Sequence, residues 1–224
     1  MVWPRRCVVC GEYLAVDETF VCEGCLADMP LTYFWSWRDN PAEMILWART
    51  YLEGVVSLLY YSRDNDYKEL LHEVKYGGNV ALGRWLGNML GSYMLTSYSG
   101  PEVVVPVPVH WRRRWKRGYN QAEIIADGIA EAMGGLPVMP HALRRVRYAV
   151  SQTRMSVGSK WENVRDSFAS GRAEEVRALE GKHILVVDDV LTTGATAEAC
   201  YNILHDIPGV RISYASIAFV SRPD

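Results

Sequence analysis

Ile184-Leu185-Val186-Val187-Asp188-Asp189-Val190-Leu191-Thr192-Thr193-Gly194-Ala195-Thr196 is the most informative run in this 224-residue chain. Four apolar residues in a row suit a central strand buried in a sheet. Two carboxylates follow at its C-terminal end, then a turn of small and hydroxyl-bearing residues. Ala195–His205 has helical spacing, with Ala197, Cys200, Tyr201 and Leu204 on the inner face. In such a turn the backbone N–H groups converge at a helix N-terminus and make an anion nest. The Thr hydroxyls add donors, so the turn suits a phosphate monoester. The acid pair would repel that phosphate and needs another partner. Carboxylates that only accept hydrogen bonds suit vicinal sugar hydroxyls, directly or beside a divalent cation. The plain alternative is a strand ending in solvated acids before a capped helix. It explains Asp-Asp alone, but not the whole run.

Upstream and downstream of this run, strand-like and helix-like segments alternate. Tyr51–Tyr61 reads as a strand, and Asp66–Tyr76 and Val80–Tyr93 as helices separated by Gly77-Gly78. Gly83, Gly87 and Gly91 form a small-residue stripe that permits close helix packing. Glu102–Val105 is a short apolar run ending at Pro106. Asn120 starts a helix, with Glu123 placed as in a capping box and Ile125, Ile129 and Met133 on the apolar face. A helix is expected near Lys160–Arg165, and Val210–Val220 reads as a last strand. This alternation predicts an α/β fold with a parallel sheet flanked by helices. Ligands of such sheets bind beyond the C-terminal strand ends, which places Pro106–Arg117 and Asp188–Thr196 at one edge.

At that edge, Pro106-Val107-Pro108 makes a stiff turn before His110. Five of the six residues Arg112, Arg113, Arg114, Trp115, Lys116 and Arg117 are basic, and Trp111, Trp115 and Tyr119 accompany them. That concentration of cations suits a pyrophosphate. It also suits single-stranded nucleic acid, whose phosphates follow cations while bases stack on rings. A solvated loop is the third reading. Arg144, Arg145, Arg147 and Arg154 extend the positive character, and Tyr148–Ser156 reads as a lid carrying Gln152 and Thr153.

Near the N-terminus, Cys7-x-x-Cys10 and Cys22-x-x-Cys25 are eleven residues apart. Two such knuckles supply four thiolates for a tetrahedral structural Zn²⁺ and leave no open catalytic position. A redox-active CxxC is the competing reading, and neither pair opens a helix after a βα unit. These residues set expected boundaries: a zinc-ribbon-like four-cysteine module over 1–28, a connector over 29–50 and the main domain over 51–224.

Composition narrows the classes further. Nearly half the residues are apolar, and the net charge is −2, so the whole molecule is not a polycation. No apolar run reaches the roughly 18 residues that would span a bilayer, and no signal peptide is visible. A cytoplasmic protein without membrane insertion is expected, with oligomeric state left open.

The run from Ile184 to Thr196 resembles the phosphoribosyl-pyrophosphate motif of type I phosphoribosyltransferases. The resemblance implies that Asp188 and Asp189 hold the ribose hydroxyls and that Thr192, Thr193, Gly194, Ala195 and Thr196 cradle the 5′-phosphate. It also implies that Pro106, Val107 and Pro108 form the pyrophosphate loop, with Mg²⁺ accompanying the ligand. The order of motifs is distinctive. It runs from the four-cysteine module through Leu71-x-x-Val74-Lys75-Tyr76-Gly77-Gly78, Val105-Pro106-Val107-Pro108, Arg117-Gly118-Tyr119-Asn120-Gln121-Ala122 and Glu162-Asn163-Val164-Arg165 to the phosphoribosyl motif. In this order the chain is similar to the ComF family of competence-associated, phosphoribosyltransferase-like proteins. That family implies a link to DNA uptake and names no acceptor. Three functions follow: a transferase using phosphoribosyl pyrophosphate, a single-stranded DNA-binding competence factor working with DNA-uptake proteins, or a regulatory binder of a nucleotide or sugar phosphate.

Overall fold

Four parallel strands, flanked by helices, form the central sheet. The computed structural model describes residues 5–98, 100–147 and 167–221, without the side chain of Lys116. Helix α1 is Glu23–Ala27, and α2 is Pro41–Met44. Strand β1 is Val55–Tyr60, followed by α3 (Lys68–Lys75) and α4 (Val80–Ser97). Strand β2 is Val103–Pro106, followed by α5 (Trp111–Arg117) and α6 (Gln121–Ala132). A small antiparallel hairpin pairs β3 (Leu143–Arg145) with β4 (Phe168–Ser170). Then come α7 (Ala173–Arg177), β5 (His183–Leu191), α8 (Ala195–Leu204) and β6 (Arg211–Phe219). Across the sheet the strand order is β1-β6-β5-β2.

The sheet is buried on both faces because its residues alternate between two cores. Leu185 and Val187 of β5 pack with Val104, Ala215 and the inner faces of α3, α4 and α6. Ile184 and Val186 face the other way, with Val103, Val105, Tyr214 and Cys200 of α8. The cysteine module adds Cys7 and Val21 to the first core. The small-residue stripe does what its spacing predicts. Gly87 and Gly91 of α4 and Gly128 of α6 bring the two backbones together, and a methyl group at Gly128 would lie 2.1 Å from the Arg84 carbonyl oxygen.

Several local expectations change. Strand β1 starts at Val55, not Tyr51, although Glu53 and Gly54 already exchange backbone hydrogen bonds with Ile212 and Tyr214 of β6. The cysteine module contains a short helix, α1, directly after Cys22. The basic cluster, with a solvated loop as one of its three readings, is α5, which ends at Gly118 in the left-handed conformation, φ 84°. His110 caps this helix, its side chain accepting from the Arg112 N–H. Asn120 caps α6 as expected, accepting from the Ala122 N–H. Glu123 does not complete a capping box and pairs with Arg114 at 3.4 Å instead. The lid expected at Tyr148–Ser156, with Gln152, Thr153 and Arg154, lies outside the described residues. So does the helix expected near Lys160–Arg165. Among the described residues no helix is long and apolar enough to cross a membrane.

Candidate functional site

Strand β2 stops opposite Val187, whereas β6 stays paired to β5 as far as Leu191. The acids therefore lie within β5, not beyond its end, and become accessible because their neighbour on one side has ended. A cleft of 640 Å³ opens there, lined by Asp188, Asp189, Lys75, Arg113, Arg117 and Arg145 among others. The edge predicted from the topology is the edge where the cleft forms.

The period of the strand sends the two carboxylates to opposite faces of the sheet. Asp189 turns toward α3 and α6, where its Oδ2 accepts from Gln121 Nε2 at 3.0 Å and pairs with Lys75 Nζ at 3.3 Å. Asp188 turns toward the second core. Its Oδ2 accepts from the Tyr214 hydroxyl at 3.0 Å and its Oδ1 from the Asp189 N–H at 2.8 Å. Asp188 is half-buried and lines the cleft, whereas Asp189 is the less exposed of the two at 9%. Burial, followed by the neighbouring Asp189 charge, raises its pKa to about 7.

The remaining expected residues divide between this cleft and its surroundings. Val107 and Pro108 line the cleft with Val109, whereas Pro106 closes β2. In the turn after β5, Thr196 lines the cleft and Thr192 lines an adjoining groove. The Thr193 carbonyl accepts from Arg49, which also pairs with Glu198 at 3.5 Å. Gly194 has φ 79° and sits against Leu46, so this position tolerates no side chain. Of the basic cluster, Arg113 and Arg117 face the cleft. Arg112 stacks on the Trp111 ring, 5.2 Å from its centroid, on the outer side of α5.

Sequence reasoning does not single out Lys75, Gln121 or Tyr214 as site residues, and it names Arg145 only among those that extend the positive character. Lys75 and Gln121 lie inside quoted motifs, which is the one signal available for them. Arg145 reaches the cleft from β3 and lies over the Phe168 ring at 4.9 Å. Nothing local in the sequence marks Tyr214. Three buried atoms of the cleft residues, Arg117 Nη1, Arg145 Nε and Gln121 Oε1, have no hydrogen-bond partner among the described residues. Two donors and one acceptor are thus left for a polar ligand.

The four cysteines form a separate site. Their sulfur atoms all lie within 4.8 Å of one another, and Cys10 Sγ and Cys22 Sγ are 3.7 Å apart. That is too long for a disulfide, whose sulfurs sit about 2 Å apart. It fits tetrahedral zinc, where Zn–S bonds of about 2.3 Å hold sulfurs slightly under 4 Å apart. The donor set is therefore compatible with zinc.

No family model matches the chain. Its sequence is 28% identical to Competence protein F of Haemophilus influenzae, over 48% of this chain and 45% of that protein. It is 29% identical to DNA utilization protein YhgH of Salmonella typhimurium, over 60% of this chain and 59% of that protein. The match thus spans about half the length of these two relatives. With DNA utilization protein YhgH of Escherichia coli it is 25% identical, over 88% of this chain and 83% of that protein. Similar solved structures include the purine phosphoribosyltransferase from Pyrococcus horikoshii, at 14% identity over 60% of this chain and 83% of that one, TM-score 0.37. Another is adenine phosphoribosyltransferase from Leishmania tarentolae, at 11% identity over 82% and 89%, TM-score 0.40. With its parallel sheet, flanking helices and clustered N-terminal cysteines, the chain is a homologue of the proteins named Competence protein F and DNA utilization protein YhgH.

Proposed function

We propose that the cleft binds phosphoribosyl pyrophosphate with Mg²⁺ and that the chain transfers the phosphoribosyl group to an acceptor, in a cytoplasmic protein serving DNA uptake. One observation carries this reading: a single cleft holds an acid pair together with Arg113, Arg117 and Arg145, and Arg117 and Arg145 keep unpartnered buried donors among the described residues. A ligand with only hydroxyls would leave the buried donors of Arg117 and Arg145 unanswered. A bare diphosphate would be repelled by the acids. A sugar carrying phosphate at both ends satisfies both the acids and the arginines.

In this reading Asp189 and Asp188 accept from the ribose hydroxyls, and the 5′-phosphate sits in the turn Thr192–Thr196. The diphosphate lies against Val107–Pro108 and the arginines. When the anomeric C–O bond breaks, negative charge collects on the departing diphosphate. Arg117 and Arg145, already fixed in place, stabilise that charge more than they do the starting ester. The carboxylates face a ring acquiring oxocarbenium character. Mg²⁺ bound with the ligand would neutralise diphosphate charge, and Asp188 and Asp189 offer the oxygen donors such a hard cation takes.

Calorimetry tests the reading. One saturable, Mg²⁺-dependent site is expected in the wild type, with affinity reduced roughly 10- to 100-fold in Arg145→Ala, the usual loss for a charged hydrogen bond. No binding by the wild type sinks the proposal. Pyrophosphate release in the presence of acceptor separates transfer from regulatory binding without turnover.

A second reading has its own observation. Trp111 and Trp115 lie one helical turn apart on α5 and are 65% and 86% exposed, beside Arg112. Two exposed rings and a guanidinium make a stacking surface for single-stranded DNA. Binding of a labelled oligonucleotide, followed by anisotropy, should fall steeply with salt. It should weaken roughly tenfold or more in Trp111→Ala/Trp115→Ala. Salt-insensitive binding, or an unaffected double variant, removes this reading and leaves the first intact.

A further inference from the structure

Helix α3 touches both chemical sites of the molecule. It is entered at Tyr67, whose hydroxyl donates to the Cys25 carbonyl at 2.6 Å, within the second cysteine knuckle. Roughly 12 Å along the helix, at about 1.5 Å per residue, its other end holds three parts of the cleft. Lys75 Nζ pairs with Asp189 at 3.3 Å. The Val74 carbonyl accepts from the Tyr119 hydroxyl at 2.7 Å. The Arg117 guanidinium lies over the Tyr76 ring, 5.0 Å from its centroid. Between these ends, Leu70, Leu71 and Val74 are buried in the core shared with Cys7 and Val21.

We propose that Tyr67 is a positioning residue that ties the four-cysteine pocket to α3, so that metal held by Cys7, Cys10, Cys22 and Cys25 sets the seating of Lys75 against Asp189. This rests on the reading that the cleft binds a phosphorylated sugar. A packed helix transmits displacement along its axis because close-packed cores resist local compression. The cysteine module has little apolar core of its own, so the metal is what holds the knuckle in one geometry. With the knuckle held, the Cys25 carbonyl is a fixed anchor for Tyr67. Without it, the first turn of α3 loses that anchor and Lys75 loses its register with the acid pair.

The full chain is prepared zinc-loaded, and stripped by a chelator that is then dialysed away, as wild type and as Tyr67→Phe. The phenylalanine variant keeps the ring packing and all four thiols and removes the hydroxyl alone. The first readout is hydrogen exchange at the amides of residues 74–76, which needs no sugar ligand. Zinc should slow exchange there in the wild type and leave it unchanged in Tyr67→Phe, with zinc stoichiometry equal in both. The second is calorimetric affinity for phosphoribosyl pyrophosphate with Mg²⁺. It should be roughly tenfold tighter in the zinc-loaded wild type than in stripped protein, within the usual range for coupled sites. Zinc-loaded Tyr67→Phe should bind like the stripped form.

Equal exchange at residues 74–76 in zinc-loaded wild type and zinc-loaded Tyr67→Phe overturns the proposal, and so does equal sugar-phosphate affinity in those two forms. Both comparisons hold even where stripping unfolds the chain, because both proteins then carry zinc. If zinc protects residues 74–76 only through Tyr67 while the sugar phosphate fails to bind either protein, the coupling stands. In that case the ligand reading of the cleft is what fails.

Discussion

In the double variant Asp188→Asn/Asp189→Asn, Mg²⁺-dependent binding of phosphoribosyl pyrophosphate is expected to weaken by about 100-fold or more. A hydrogen bond to a charged group is worth about 1.5–3 kcal/mol. Two such bonds to a sugar diol together account for that loss. The single variants should differ, because the two carboxylates occupy different surroundings. Asp189 is paired with Lys75, and it also accepts from Gln121. Asparagine there removes the charge that Lys75 faces, so Asp189→Asn should carry the larger part of the effect at neutral pH.

Asp188 contributes a pH dependence instead. Its pKa, raised to about 7 by burial and then by Asp189, leaves it partly protonated at neutral pH. Wild-type affinity should therefore climb between about pH 6 and 8 as the carboxylate forms, and Asp188→Asn should flatten that rise. Stability moves in the opposite direction. Between the ordinary carboxyl pKa, about 4, and about 7 the folded chain holds a proton that the unfolded chain has released, so this group's contribution falls as pH rises through that window. Thermal melts of wild type and Asp188→Asn across the window measure it. Affinity in the double variant equal to wild type would remove the acid pair from the site.

Gly128→Ala should destabilise the chain far more than one added methyl group normally does. Helices α4 and α6 touch backbone to backbone. A Cβ at Gly128 would lie 2.1 Å from the Arg84 carbonyl oxygen and 2.8 Å from the Asn88 nitrogen. Neither atom belongs to a side chain that can rotate away, so the helices must separate. Alanine normally gains about 1 kcal/mol over glycine inside a helix. Overpacking of a core typically costs about 1–3 kcal/mol, and contact with rigid backbone sits at or above that upper figure. A net loss of about 2 kcal/mol lowers the melting temperature by roughly 4–8 °C in a chain of this size. Gly83→Ala supplies the contrast. Its Cβ would meet the Ile124 and Val74 side chains at 3.1 and 3.4 Å, and these can give way. Its loss should be distinctly smaller. Equal melting temperatures for Gly128→Ala and wild type would mean that the two helices are farther apart than described.

The α/β class, the close-packing stripe of α4, the turn at Thr192–Thr196 and the cysteine quartet were all legible in the sequence. Each depends on residues close together in the chain: four apolar residues before two acids, glycines four apart, or CxxC pairs. Short-range spacing specifies such features because backbone geometry converts it directly into a face, a turn or a knuckle. The lid and the Glu162–Arg165 motif fall outside the described residues.

Other features depend on which segments meet. Asp188 and Asp189 are adjacent in sequence and look equivalent there. The pleat of β5 sends one to Tyr214, 26 residues on in β6, and the other to Lys75 and Gln121 on two helices. Their different surroundings follow from those neighbours. Arg145 reaches the cleft only because the β3–β4 hairpin folds beside it, and α3 joins the cysteine module to the acids only because both pack on the same face of the sheet. Strands, turn and candidate site residues were thus specified by the order of amino acids, through contacts a few positions apart. What each carboxylate is paired with, which arginines line the cleft and which helix runs from the cysteine cluster to the acids were decided by the folded arrangement, because burial and long-range pairing exist only once the sheet has assembled.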